Sequence, residues 1–178
     1  MKKYLILFFL TIINFGLFAQ GRIFLKYTGP DIVGSSVVSG YAGQVEILNL
    51  SYNIYNVVNQ NSFGAGPIVS QPSSPGLITF YNLIEKSSPA VGAEFFRGTE
   101  FNKIEIRMTK GNNPLLEYFL IELEDAIITS IQSVSQYQEK IQIYSPRIKF
   151  TYTPYNNFSQ AQPNVVKGWD YLTNTANN

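Results

Sequence analysis

The sequence predicts a mainly β fold, a small antiparallel barrel or sandwich that carries one short α-helix. Three observations predict it. Runs of alternating apolar and polar residues recur along most of the chain. Clusters of Gly, Asn, Ser and Pro separate them. Only one stretch, Ser87–Gly98, reads clearly as a helix, and a lone short helix among strands must pack on a sheet or plug a barrel end.

The chain has 178 residues, the length of one domain. Residues 1–19 are set apart. Lys2 and Lys3 precede the apolar run Tyr4–Phe18, and Ala19 stands before Gln20. That pattern is a secretory signal peptide cut after Ala19, leaving residues 20–178 as a secreted or periplasmic domain. The run falls short of the ~20 apolar residues of a membrane span, and no later segment is apolar enough, so no membrane contact is expected after cleavage. Removing Lys2 and Lys3 takes the formal charge from +1 to −1. A near-neutral chain has no electrostatic footprint for nucleic acid.

There is no cysteine and no histidine. Disulfide staples, thiolate nucleophiles, Ser–His pairs and ordinary zinc sites are thereby excluded. The expectation is a protein without cofactor or metal, and not an enzyme.

Arg22–Thr28 is a first strand with Ile23, Leu25 and Tyr27 on one face. Gly29–Gly43, with four glycines and a proline, reads as a long loop. Gln44–Val58 is a long strand whose apolar phase switches between Ile47 and Leu48, which predicts a bulge there. Asn59–Gly76 has no period and reads as a long functional loop. A strand over Ile78–Glu85 leads to the helix, which Ser87-Ser88 would cap, Pro89 would open and Gly98 would end. Val91, Phe95 and Phe96 would share its apolar face.

In Phe101–Thr109, Ile104, Ile106 and Met108 alternate with Lys103, Glu105 and Arg107, giving one buried and one solvated face. A turn at Lys110–Asn113 leads into a hairpin partner, Leu115–Glu124, and Asp125–Ser135 continues as strand or bend. Gln136–Thr153 is the last long strand. Its phase flips across Ser145-Pro146-Arg147, which predicts a bulge at Pro146. The count is five to seven strands.

Few constellations suggest chemistry. Glu117, Glu122, Glu124 and Asp125 cluster on one strand, and residues two apart lie about 7 Å apart on one face. That spacing occurs in paired glycosidase carboxylates, and it also fits a plain solvated face, the reading preferred here. Gly64-Ala65-Gly66 lacks the Lys and helix start of a phosphate loop. Aromatic residues make up 15% of the chain and could stack on sugars, which leaves a monomeric extracellular binding module as an alternative. Trp169, the only Trp, reads as an anchor for the C-terminal segment.

The motifs, taken in order, resemble a known family. Phe80, Ile84, Glu85, Lys86, Ser87, Ser88 and Pro89 form a strand–KSSP–helix unit similar to the most recognisable motif of the haemolysin-coregulated (Hcp) proteins, the inner-tube proteins of type VI secretion systems. Gln44–Tyr52 resembles the family's second strand, and Phe101–Thr109 with Tyr118–Ser130 its central hairpin. Ile141–Pro154 carries the same phase flip and Tyr-x-Pro step, and Gly168-Trp169-Asp170 with Thr173-Asn174 matches the GWD…TN ending. Asn82 and Glu85 stand where members often have Lys and Asp, and Gly34-Ser35-Ser36 and Tyr41 where they have Gly-Glu-Ser and His. Typical members lack a cleavable leader.

The resemblance implies a compact β-barrel of two sheets with one helix, assembling into six-membered rings. Rings stack into a tube that partners with sheath and spike proteins and can carry effectors in its lumen. The loop Asn59–Gly76 would touch neighbouring rings, with Phe63, Pro67, Ile68 and Val69 as its interface residues.

Overall fold

A computed structural model describes residues 21–55, 58–59, 69–70, 74–111 and 114–177. In these residues the chain order is β1 (Ile23–Thr28), β2 (Val45–Tyr55), β3 (Val58–Asn59), β4 (Val69–Ser70), β5 (Ser74–Leu83), α1 (Ser88–Arg97), β6 (Glu100–Lys110), β7 (Leu116–Ser135), β8 (Gln138–Tyr144), β9 (Arg147–Tyr152), β10 (Val165–Asp170) and β11 (Thr175–Ala176). The expected five to seven strands are thus exceeded by several short ones.

Strands β7, β6, β1, β2, β5 and β8 follow one another side by side, and β8 pairs back onto β7. The result is a closed antiparallel barrel. Strand β7 has 20 residues and changes partner along one edge: Phe119–Glu124 pairs with β9, and Ile127–Ser135 pairs with β8. Beyond β9 the sheet runs on through β10 to β11. The barrel core holds Leu25, Phe80, Phe101, Ile106, Ile121, Leu123 and Ile143, all without exposure.

The bulge expected after Ile47 is present. Pairing of β2 with β5 shifts between Ile47 and Asn49, which leaves Leu48 about half exposed. The flip near Pro146 has a different basis from the expected bulge. Glu124 faces Arg147 and Ile127 faces Tyr144, so the ladder crosses Ser145-Pro146 without slipping. The partner strands change phase at the same level. Buried residues run Ile121, Leu123, then Ala126, Ile128 on β7, and Phe101, then Ile104, Ile106 on β6. One extra residue is let into each neighbouring strand, so the same face stays buried and the sheet creases. Asp125 takes φ 53 there, a left-handed conformation that Asp tolerates better than most residues. The buried Ser145 hydroxyl bridges the carbonyls of Glu124 and Arg147, at 2.8 and 2.7 Å. Arg147 pairs with both Asp125 and Asp170.

Strand β1 keeps Ile23, Leu25 and Tyr27 on its core face as expected, and two other expectations change. Strand β1 is buried on both faces at Phe24 and Leu25, because the loop after it returns to stack Tyr41 on Phe24 with centroids 4.3 Å apart. Val91 of α1 is buried and Phe95 packs against the core, but Phe96 is 86% exposed and does not share their face. The stretch Asn59–Gly76, expected as loop throughout, carries strand at both ends. Val58 pairs with Ser70 and Asn59 with Val69, prolonging the β2–β5 hairpin beyond Tyr55–Ser74.

Candidate functional site

The strand–KSSP–helix unit is an elbow between β5 and α1, held by two carboxylates. Ser88 Oγ donates to Glu139 Oε1 at 2.6 Å and accepts the Glu85 N–H at 3.1 Å. Ser87 Oγ donates to Glu85 Oε1 at 2.5 Å, and Asn82 Nδ2 donates to Glu139 Oε1 at 2.8 Å. Glu85 also accepts the Ser35 N–H, which draws the first loop onto the elbow. The expected hydroxyl cap is absent: Ser87 occupies the cap position in a helical conformation and makes no side-chain cap bond. The serines are recruited by the carboxylates instead. Carboxylates beside the first turn suit the positive end of the helix dipole. Gly98 closes the helix as expected, at φ 66, donating to the Phe95 carbonyl. Tyr27 lies buried near by, and burial, then Glu139 and Glu85, push its hydroxyl far above the usual range.

The GWD ending is a lock on the barrel's outer sheet. A Cβ at Gly168 would stand 2.3 Å from the Asn177 carbonyl oxygen and 2.8 Å from that of Ile148, so only glycine admits the chain that crosses it. Asn177 N–H donates to the Gly168 carbonyl at 3.0 Å. Trp169 pairs with Ile148 on one side and Ala176 on the other. Asp170 accepts the N–H groups of Leu172 and Thr173 at 2.8 and 3.2 Å.

Three of the four carboxylates singled out for catalysis, Glu117, Glu122 and Asp125, are held in ion pairs. Glu122 meets Lys103 at 3.4 Å through one oxygen and Lys149 at 2.8 Å through the other. Glu117 holds Arg107 at 2.9 Å, and Asp125 holds Arg147. The hydrogen bond to Glu122 raises the Lys149 ammonium, against its partial burial. The outer face of β6 is therefore not simply solvated. Glu105 is only 9% exposed beneath Arg107, which it meets at 2.9 Å.

Two cavities open on the described surface. One of about 500 Å³ lies between the first loop and the β6–β7 turn, walled by Arg22, Tyr41, Arg107, Leu115 and Glu117. Its charges are mutually paired, Arg22 with Glu46 and Arg107 with Glu105 and Glu117. The other, about 370 Å³, is apolar and lies among Ile54, Ile148, Phe150, Trp169 and Tyr171. No group of acidic residues able to hold a metal occurs among the described residues.

Surface apolar groups gather at the two ends of β5. At its start lie Tyr52, Ile54, Tyr55 and Leu77, and at its finish Leu83, Ile84, Val134 and Tyr137, each 41–67% exposed. Strand β2 pairs with β1 only over Val45–Ile47, so among the described strands none covers that edge from Leu48 onward. Of the expected interface residues, Phe63, Pro67 and Ile68 lie outside the described residues. Val69 opens β4, opposite Asn59. The β5-end patches and the Glu139 contacts escaped the sequence reading, because they join residues distant in the chain.

Comparison with known proteins agrees with this geometry. The family model described as "Type VI secretion system effector, Hcp" matches residues 24–152. No curated protein matches. Among solved structures, one titled "Structure of a type six secretion system protein" superposes with a TM-score of 0.79 at 14% identity, covering 89% of this chain and 100% of its own. Hcp1 from Salmonella typhimurium follows at 0.68 and 21% identity, covering 88% and 98%. A mutant of Hcp1 from E. coli EAEC 042 gives 0.67 and 20%, covering 86% and 99%. Such identities speak for the fold, and the family model for descent. From the first core strand to the end of β9, the chain belongs to the Hcp family of type VI secretion system effectors.

Proposed function

We propose that this chain is an exported structural subunit whose copies close into six-membered rings, which stack into a tube able to carry small effector proteins in its lumen. Residues 1–19 act as a leader removed after Ala19, and the mature protein works outside the cytoplasm. The role needs no catalysis, and its partners are copies of itself together with effector, sheath and spike proteins.

The observation that carries this reading is the pair of unlike apolar patches at the two ends of β5. Their nearest members on the strand, Leu77 and Leu83, lie six positions apart, about 20 Å at 3.3 Å per residue. Unlike patches at opposite ends favour head-to-tail contact, in which one copy's finish meets the next copy's start. The β2–β5 hairpin extends beyond the barrel at the starting end, and its continuation, with Phe63, Pro67, Ile68 and Val69, supplies the contact between rings. The uncovered edge of β2 supports lateral pairing within a ring.

Size-exclusion chromatography with light scattering, and electron microscopy of residues 20–178, test the proposal. Six-fold rings are expected. A monomer at every concentration would overturn it.

A further inference from the structure

We infer that the loop between β9 and β10 is an aromatic plug, and that its socket is the apolar cavity beside Trp169 on a second copy of this chain. The inference rests on the reading that copies of the chain meet, but not on how many close a ring. Phe158 stands at the loop's tip with 84% of its surface exposed. The loop beneath it is tied at every level. Asn156 Oδ1 accepts the Phe158 and Gln160 N–H groups at 2.9 and 3.0 Å, and Asn156 Nδ2 donates to Gln160 Oε1 at 2.9 Å. Asn156 N–H donates to the Gln160 carbonyl, and Ser159 N–H to the Asn156 carbonyl, both at 3.0 Å. At the base, Gln162 N–H reaches the Pro154 carbonyl at 2.8 Å, and Tyr155 bridges to Ala161. Ser159 takes φ 59, a left-handed conformation uncommon outside glycine. An aromatic ring displayed on so fixed a loop loses little freedom on binding, which is the property of an interface anchor.

The socket has a volume of about 370 Å³, within the range of ligand pockets. Ile54, Ile148, Phe150, Trp169 and Tyr171 wall it, and Lys167 is the one charged residue among the described lining. Between Lys149 and Lys167 the sequence holds no charged residue, so the plug takes no ion out of water as it enters an apolar wall. The plug does not reach its own socket. In the ladders Ile148 faces Trp169 and Leu123, while Tyr152, four residues on, faces Val165 and Phe119. Tyr155 then pins the loop further along β7, its hydroxyl donating to the Glu117 carbonyl at 2.8 Å. From Ile148 to Tyr155 is seven residues, roughly 23 Å at 3.3 Å per residue. Plug and socket thus sit at opposite ends of one hairpin, and two unlike surfaces placed so join copies head to tail. A seated Phe buries about 150–250 Å², and the socket wall a similar area, well short of the roughly 1,200 Å² that a stable pair needs. The contact therefore works beside others. Ile54 provides the continuity, since it lines the socket and belongs to the apolar patch at the start of β5.

The test places photoreactive p-benzoylphenylalanine at position 158 of the full chain. This chain is assembled with isotope-labelled wild-type chain, irradiated, and the joined peptides are identified by mass spectrometry. Cross-links from position 158 to labelled peptides holding Ile54 or Trp169 are expected. Phe158→Ser, a change on the surface, should keep the melting temperature and weaken self-association in sedimentation at least about tenfold, while Phe158→Tyr should retain most of it. Six-fold rings whose cross-links lie elsewhere or within one copy, together with unchanged association of Phe158→Ser, would overturn the plug and leave the ring reading intact. Cross-links to the socket in an assembly without six-fold symmetry would support the plug and overturn the ring. A chain that stays monomeric would overturn both.

Discussion

Ser88 and Glu139 are 51 residues apart in sequence and joined side chain to side chain, with the Ser88 hydroxyl donating to Glu139 Oε1 at 2.6 Å. This bond ties the first turn of α1 to β8, and β8 in turn closes the barrel on β7. Ser88→Ala should destabilise the fold by about 1–3 kcal/mol, the range for a hydrogen bond to a charged group. Helix content by circular dichroism should be unchanged, since Ser88 does not cap the helix. Urea denaturation of Ser88→Ala, Glu139→Gln and the double variant gives the coupling. Strictly additive losses would show that the two side chains do not interact.

Gly168 is hemmed in by backbone, with the Ile148 and Asn177 carbonyl oxygens inside contact distance of any Cβ. Carbonyls in a ladder have little room to yield. Gly168→Ala should cost about 1–3 kcal/mol, as overpacking does, and should release the strand Thr175–Ala176. Hydrogen exchange is the check: faster exchange at Trp169 and Asn177 is expected, with barrel amides unaffected.

Asp170 gives a pH dependence. Desolvation pushes its carboxyl upward, but the Thr173 and Leu172 N–H groups, the Thr173 hydroxyl and Arg147 outweigh it, so the net shift is downward from 3.8. A depressed folded value contributes stability above the unfolded value, and that contribution disappears as pH falls through the folded one. The turn Tyr171–Asn174 should therefore loosen in acid, below about pH 4. Amide chemical shifts of Leu172 and Thr173 should follow the titration, and Asp170→Asn should abolish it.

Removing residues 60–68 should leave the barrel folded, because the pairings of β2 with β5 end at Tyr55–Ser74. Ring-to-ring contact should weaken. Circular dichroism should be preserved while tubes shorten or vanish on the microscope grid. Undiminished tubes would remove the arm from the interface.

Features written in local pattern were legible in the sequence. The phase switch at Ile47–Leu48, the hairpin of Phe101–Glu124 and the stop at Gly98 each depend on residues close together in the chain. Features that depend on distant partners were not. Phe24 lies off the face of Ile23, Leu25 and Tyr27, and its burial comes from Tyr41, which folds over it. Ser88 reads as a cap until Glu139 arrives from β8. Phe96 fits a helical stripe, but only Val91 and Phe95 reach the core and Phe96 stays exposed. The flip at Pro146 was visible, yet its cause lay in β6 and β7 as well, so a single strand could not tell a crease from a bulge. Strand β10 was hidden because Lys167 and Gly168 interrupt alternation, and Gly168 is there for the crossing chain. For the candidate site, the KSSP and GWD motifs were found as words, and their meaning came from carboxylates and carbonyls elsewhere.

The shared membership of β7 has a mechanical corollary. Phe119 to Glu124 hold β9 and Ile127 to Ser135 hold β8, so no hinge can part those two strands without breaking a continuous girder. A load applied along that girder would travel through one unbroken backbone, and the strands on either flank would yield together.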